Sequence, residues 1–506
     1  MVVSTYCWLL VLSSIATCET YKILVLSPSL SHSHIHFQGA IADVLVDAGH
    51  EVHIFIPEYD VNEITNGSTK AHRVTRYNST FETLFKDLSF KKDVFSDEGA
   101  GFAFDFQGWD YFRNTSVQYC HDMVNDARLM DELRRQQYDV ALAEGYSYCY
   151  FGIFHALKIR TKIVTMAIAM TENLADTWGI PSPKSYVVNS LNGLPDAPNL
   201  NFRDRFINIL AYYTSIWYGF EPTERLENQI LKQKFGSDFP NLQEIVRNVS
   251  LALFNSIDFL DISRPISKKM VYIGGLNVAA PNKELKPKIG KVFETAQKGV
   301  VLFSFGAITD TRYMSGSMKM AFLRAFARFP DYNFLWKSNF SDAQTIMSDY
   351  PNVHVVEWMD QTTILGIPML AIPLFGDQNY NAAIVRHRSL GVYVNIKDVS
   401  EERIYASLEE LLNTDRHRHK VQKFKRMLAK RPNKPREEVR KWVEFAAEFP
   451  DLTMMNLHGA ELNFVTYHCL DVFAAAIVVA SLTLIVVIRA SKLLLKKLMI
   501  RKKKIE

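Results

Sequence analysis

The sequence predicts two α/β halves, each built on a doubly wound parallel sheet, followed by a single membrane-spanning helix. Three observations predict this. Residues 21–57 read as apolar strand, helix and apolar strand in one short unit, the pattern of a parallel crossover. A second strand series begins near residue 300, after a proline-containing stretch at 264–287. Residues 472–488 carry no charge and run straight into a basic tail. At 506 residues and 48% hydrophobic content, the chain has apolar material for more than one core.

Taken in order, residues 1–18 read as a secretory signal peptide. Their apolar core, 8–15, is followed by Ala16 and Cys18 at the −3 and −1 positions of a cut before Glu19. The first half, 19–275, opens with an apolar strand at 21–27 stopped by Pro28. A Ser/His loop follows over 29–36, then a helix over 37–48, with Gly49 as the stop. Residues 51–56 form the next strand, ended by Pro57. Residues 138–143 and 162–167 read as further strands. No Gly-x-Gly-x-x-Gly follows the first strand, so a nicotinamide or flavin dinucleotide is not indicated. The second half, 276–445, shows strands at 300–306, 333–337 and 353–358, with a helix over 318–329. Residues 353–358 and 369–375 both read as buried strands of one parallel sheet. A return segment, 446–469, leads to a membrane helix at 470–489 and a basic tail at 490–506.

Charge and cysteine count narrow the function classes. The net charge of +4 is concentrated at the end, where residues 489–506 hold eight Lys or Arg and one Glu. The rest of the chain is slightly acidic and has no electrostatic footprint for nucleic acid. The positive-inside bias puts the tail in the cytosol and everything before Leu470 in a lumen or outside. Five Asn-x-Ser/Thr triplets, at Asn66, Asn78, Asn114, Asn248 and Asn339, all fall on that lumenal side and are candidate glycosylation sites. Lys503 and Lys504 stand where a dilysine signal returns membrane proteins to the endoplasmic reticulum. The expected location is therefore the endoplasmic reticulum membrane, single-pass and type I. Five cysteines are too few for a disulfide framework; Cys120 and Cys149 either pair or remain buried thiols. No Cys-x-x-Cys, His-Glu-x-x-His or Asp-x-Asp pattern marks a metal site in the mature chain.

His34 follows the first strand at the sheet's carboxyl edge, where open α/β sheets place their ligands. A neutral imidazole there can take a proton from a hydroxyl, or His32, His34 and His36 can be a polar loop without a special role. Glu144 lies just past the end of the 138–143 strand and is either a partner carboxylate or an ordinary solvated acid. Gly306 closes another strand and lets the backbone approach an anion.

Residues 357–382 carry the most specific signal. Trp358 and Gln361 open the stretch, and a Gly-Ile-Pro, Ile-Pro-Leu-Phe and Gly-Asp-Gln-x-x-Asn-Ala run closes it from Gly366 to Ala382. Both ends resemble the donor-binding signature of the UDP-glycosyltransferases. The spacing of His34 to His50 in Ala-Gly-His-Glu-Val also matches that family's catalytic His loop. The resemblance implies a GT-B type fold, two Rossmann-like domains facing a cleft, and a UDP-sugar as co-substrate without a further cofactor. It implies His34 as catalytic base and Glu144 in place of the family's orienting Asp. Donor contacts are implied for Gly306, Ala307, Trp358, Gln361, Asp377 and Gln378, with Ala307 replacing the usual Ser. Its acceptors are small lipophilic molecules, and a homo- or hetero-oligomer with related transferases is compatible with it. Between Leu365 and Gly366, about two dozen residues expected from the family are missing, including a His-Gly-Gly turn and one strand–helix unit. Three readings follow: an inverting hexosyl transferase using glucose or glucuronic acid, a silent ligand-binding or oligomer-partner relative, or an incomplete version of an active enzyme.

Overall fold

The computed structural model describes residues 20–79, 94–95, 102–276, 287–306, 309–357 and 366–502. The expected signal peptide lies outside them, as do Lys503 and Lys504. Contact density separates a compact body ending at Asn456 from a second unit, 457–506.

The body's first half is a seven-stranded parallel sheet. Its strands are β1 (Lys22–Leu26), β2 (Glu51–Pro57), β3 (Arg73–Tyr77), β4 (Val140–Glu144), β5 (Thr161–Met166), β6 (Leu251–Phe254) and β7 (Met270–Tyr272), in spatial order 3-2-1-4-5-6-7. The central strands are covered on both faces, so their sequences are apolar without alternation. Ile23, Val25, Val140, Leu142 and Ile163 are all fully buried in one core. The reversal of strand order between β1 and β4 makes a crevice at their carboxyl ends, the switch point where such sheets bind ligands.

The expected Ser/His loop is helical instead, and the helix runs His32–Asp47. Its end follows from Gly49 at φ +93°, with the His50 N–H bonding the Leu45 carbonyl at 3.1 Å, a Schellman closure. Cys120 and Cys149 are joined as a disulfide, which ties the helix Phe106–Asn125 to the helix Cys149–Ala156.

The second half holds β8 (Gly299–Phe303), β9 (Tyr332–Lys337) and β10 (Val353–Val356) in a three-stranded parallel sheet, ordered 10-9-8. A separate two-stranded sheet pairs β11 (Met369–Ala371) with β12 (Gly391–Tyr393). This corrects the expectation that 353–358 and 369–375 are buried strands of one sheet. β11 is only three residues long and starts on an exposed Met369. The physical reason is connectivity, because parallel neighbours need a crossover of about a dozen residues or more, normally a helix. The link here carries Pro368, which ends any helix before it.

Residues 435–448, which the sequence reading divides between the end of the second half (to 445) and the return segment (from 446), form a helix that packs on the first half. Val439, Val443 and Ala446 are fully buried in the core of the seven-stranded sheet. At about 1.5–3 kcal/mol per fully buried Val, this helix fastens the chain's return securely.

In the second unit, the helix Leu470–Lys502 has a 30-residue stretch, Leu470–Met499, long and apolar enough to cross a membrane. It continues past the expected end at 489, so Arg489, Lys492, Lys496 and Lys497 lie on the helix itself.

Candidate active site

His34 stands in the first turn of the His32–Asp47 helix, directly after β1. Residues four apart share a helix face, whereas residues two apart point roughly opposite ways. His32 and His36 accordingly meet with 4.2 Å between ring centres and their planes tilted by 56°, and His32 Nδ1 reaches Glu63 at 3.2 Å. His34 points the other way, into the crevice. Its Nδ1 meets both oxygens of Glu144, at 2.7 and 2.9 Å.

Glu144 is the last residue of β4 and is 1% exposed. Its Oε1 also accepts the Ala167 N–H at 3.1 Å. A buried carboxylate held this way accepts Nδ1–H and leaves Nε2 as the basic nitrogen. Burial pulls the His34 imidazole down, yet the charge and hydrogen bond of Glu144, with the more distant charge of Asp377, outweigh it. The net effect raises His34 above the ordinary histidine value. One turn further along the helix, buried Gln38 donates to Thr165 Oγ1 at 2.5 Å and pins the helix to β5. Sequence reasoning missed Gln38; its spacing of four from His34 was the available signal.

Tyr146, also missed, sits two residues past Glu144 with its ring 5.5 Å from that of His34. Burial, then the charges of Glu144 and Asp377, push its phenol well above the ordinary tyrosine value. Tyr146 therefore presents a neutral O–H and an aromatic wall beside the base, with Phe112 edge-on at 6.5 Å.

The second half brings Asp377 to the same place. Asp377 precedes the helix Gln378–His387, and its Oδ2 accepts from Asn381 Nδ2 at 2.8 Å. Burial raises its carboxyl above the ordinary value, partly countered by the His34 charge. Gln378 Oε1 accepts the Leu374 N–H at 2.9 Å and shapes the loop that carries Asp377. The start of this helix is seated on the first half. Gly193, at φ +45°, lies so close that an added Cβ would stand 2.3 Å from the Tyr380 nitrogen. Tyr380 and Ala383 share a buried cluster with Val188, Leu194 and Ile262, and Tyr380 Oη donates to Asp261 at 2.7 Å.

Gly306 lies in the loop that follows β8, at φ +85°, with open space where a Cβ would stand. Lys337 Nζ donates to its carbonyl at 2.6 Å. Ala307, Trp358 and Gln361 lie outside the described residues. The five sequon asparagines, Asn66, Asn78, Asn114, Asn248 and Asn339, are all exposed. Asn114 is on the helix Phe106–Asn125, and Asn339 Oδ1 accepts from Thr311 Oγ1 at 2.9 Å.

A family model described as UDP-glucoronosyl and UDP-glucosyl transferase matches residues 21–369 and 363–505. The two matched segments meet at 363–369, where Leu365 runs into Gly366. Among relatives, ugt-50 of Caenorhabditis elegans is 26% identical over 92% of this chain and 93% of its own length. UDP-glucuronosyltransferase 1A7 of Mus musculus is 22% identical over 88% of this chain and 87% of its own. Among solved structures, the glycotransferase of kitacinnamycin superposes with a TM-score of 0.56 at 16% identity, covering 85% of this chain and 99% of that one. TcCGT1 in complex with UDP superposes at 0.53 and 13% identity, covering 85% and 99%. These superpositions speak to the fold, two parallel-sheet halves of GT-B type.

Proposed function

The chain belongs to the UDP-glucuronosyl and UDP-glucosyl transferase family, and on that premise we propose that its first half activates the hydroxyl of a small lipophilic acceptor for inverting attack on a UDP-sugar. The observation that carries this reading is the His34–Glu144 pair, 2.7 Å apart at the carboxyl edge of the sheet. In this scheme His34 Nε2 takes the hydroxyl proton while the acceptor oxygen bonds to the anomeric carbon. The bond from that carbon to the diphosphate breaks, and UDP leaves with the electron pair. Glu144 holds the tautomer beforehand and stabilises the imidazolium afterwards. Asp377 and Gln378 take the sugar hydroxyls, and Gly306 and Ala307 approach the diphosphate. Trp358 stacks on the uracil and Gln361 contacts the nucleoside. The UDP-sugar, carrying glucose or glucuronic acid, is the co-substrate, and no further cofactor takes part.

A second reading is favoured by one observation, the break between β10 and β11 that leaves the second half as two small sheets. Where the family carries a His-Gly-Gly turn and a helix N-terminus for the diphosphate, this chain passes from Leu365 to Gly366. A leaving group of that charge would lose its main electrostatic support. On this reading the chain as it stands holds acceptor, or a related transferase as oligomer partner, without turnover. Restoring the family's segment between Leu365 and Gly366 tests the base independently. In that restored chain His34→Ala should lower turnover about 10²–10⁴-fold, while His32→Ala and His36→Ala change it little. Equal effects from all three would overturn the assignment.

For location we propose a type I protein of the endoplasmic reticulum membrane, its two halves lumenal and glycosylated, made with a cleaved signal peptide. The disulfide, which needs an oxidising compartment, supports this. So do the exposed sequons and the apolar helix with its basic end. The same setting suits conjugation of lipophilic xenobiotics. Endoglycosidase-sensitive glycans with a protease-accessible tail on sealed microsomes are the expected result, and a protected tail would contradict it.

A further inference from the structure

The amino edge of the first half's sheet lies opposite the edge that carries His34 and Glu144, and there β5 departs from its apolar pattern. Ile163, Val164, Thr165 and Met166 are fully buried, yet the second residue of the strand is Lys162. Side chains alternate along a strand. Thr161 and Ile163 take the face of the helix Pro435–Glu448, where Thr161 Oγ1 donates to the Ala446 carbonyl at 3.0 Å. Lys162 therefore faces the other layer, and its long stem carries the ammonium out into a hollow of about 500 Å³. His155, Lys158 and Ile159 line this hollow from the end of the helix Cys149–Ala156 and the turn after it. Phe235 and Phe239 line it from the end of the helix Glu221–Phe235 and the turn beyond.

The lining has a cationic part and an apolar part. Burial pulls the Lys162 ammonium below the ordinary lysine value, and no carboxylate offsets it. Glu244 is the acid whose charge reaches the hollow, and it acts on His155, which burial and then the charge of Lys162 lower. The helix end does not claim the lysines either. Its last carbonyls are met by backbone, with the Lys158 N–H on His155 at 2.9 Å and the Ile159 N–H on Phe154 at 3.0 Å. Lys158 holds the left-handed position of that closure at φ +60°, where glycine would sit at less cost, and so adds a second cation at the rim. Phe235 and Phe239 stack at 5.3 Å between ring centres, both half-buried, and His155 meets Phe239 edge-on at 5.4 Å.

We propose that this hollow binds a small aromatic carboxylate, its ring laid against Phe235 and Phe239 and its charge held by Lys162 and Lys158. An inorganic anion would leave the aromatic wall wet, and a neutral arene would leave Lys162 unpaired, so the two parts together select an anion with a ring. The volume is of the size that small ligands fill. From Lys162 to Ala167, whose N–H is on Glu144, the chain runs five residues, about 17 Å when extended. The hollow is thus a second site, and its occupancy does not depend on glycosyl transfer.

The test titrates 2-naphthoate into the detergent-solubilised full chain by isothermal calorimetry. Binding should weaken about 10–100-fold in Lys162→Met, which keeps the stem and removes the charge, and should largely recover in Lys162→Arg. Phe239→Ser should weaken it as well, with circular dichroism checking the fold of each variant. 2-Naphthamide, with the same ring and no charge, should bind the unaltered chain more weakly by a similar factor, a comparison that needs no variant. Equal affinity for the acid and the amide would overturn the proposal. So would undiminished binding by folded Lys162→Met, or no binding of naphthoate by the unaltered chain at millimolar concentration.

Discussion

Glu144→Gln isolates the charge of the His34 partner while keeping its shape. Glu144 Oε1 accepts from both His34 Nδ1 and the Ala167 N–H, and Oε2 accepts from Nδ1 again at 2.7 Å. An amide cannot do all of this. With its oxygen at the Oε1 position it keeps the Ala167 N–H and can still accept from Nδ1 at 2.9 Å, but its NH₂ then stands as a donor at the closer, 2.7 Å position and favours the tautomer protonated on Nε2, which weakens the base. With its oxygen at the Oε2 position, its NH₂ faces the Ala167 N–H, donor against donor. Losing a buried charge-assisted hydrogen bond removes about 1.5–3 kcal/mol of preference for imidazolium, about 10–100-fold in the protonation equilibrium. Burial, already the largest influence and a lowering one, is then left almost unopposed. His34 should therefore move from above the ordinary histidine value to below it, read by NMR titration of labelled histidine with His34→Ala for assignment. Stability follows with a definite sign. The raised wild-type value contributes stability that is fully present below about pH 6.5 and lost as pH rises through the folded value; the variant should lack that slope. An unchanged His34 titration in Glu144→Gln would refute the reasoning.

Three further outcomes are expected. Glu227 is fully buried beneath the start of the Cys149–Ala156 helix, where it accepts the Tyr148 and Cys149 N–H groups, and burial pushes its carboxyl up to about 7. The folded chain holds that proton more tightly than the unfolded one, so stability should fall between about pH 4.5 and 7; denaturant melts of Glu227→Gln should show a flatter profile there. Replacing Cys120 and Cys149 together by Ser opens a loop with a sequence separation of 29, and chemical denaturation should report a loss of about 3–4 kcal/mol. Gly193→Ala places a Cβ against the Tyr380 backbone, so proteolysis near 378–387 should accelerate while the His34 titration is retained.

What could be read from sequence, and what could not, divides along physical lines. Strands β1, β2, β4, β5 and β9 were legible because a strand covered on both faces is a short apolar run with breakers at its ends. His34 and Glu144 were legible as residues just past such strands, since topology alone brings strand ends to one edge. The helical start at His32 was hidden, because Ser and His favour loops until tertiary contacts decide. Tyr146 carried no periodic or motif signal and becomes visible only beside the His34 ring. The seat of helix Pro435–Glu448 on the first half was equally invisible, since an amphipathic pattern tells which face is buried and not against what. The split of the second sheet runs against the reading of 369–375 as a buried neighbour of β10, and the short link that carries Pro368 is its physical reason.

The most direct test of the account is glycosyl transfer by the purified full chain as it stands, with UDP-glucose and UDP-glucuronic acid over a range of lipophilic alcohols and phenols. If the residues missing between Leu365 and Gly366 are the ones that hold the diphosphate, as the second proposed reading has it, the chain shows no transfer above that of His34→Ala, with acceptor binding retained. Transfer at the rate of the segment-restored chain would contradict it.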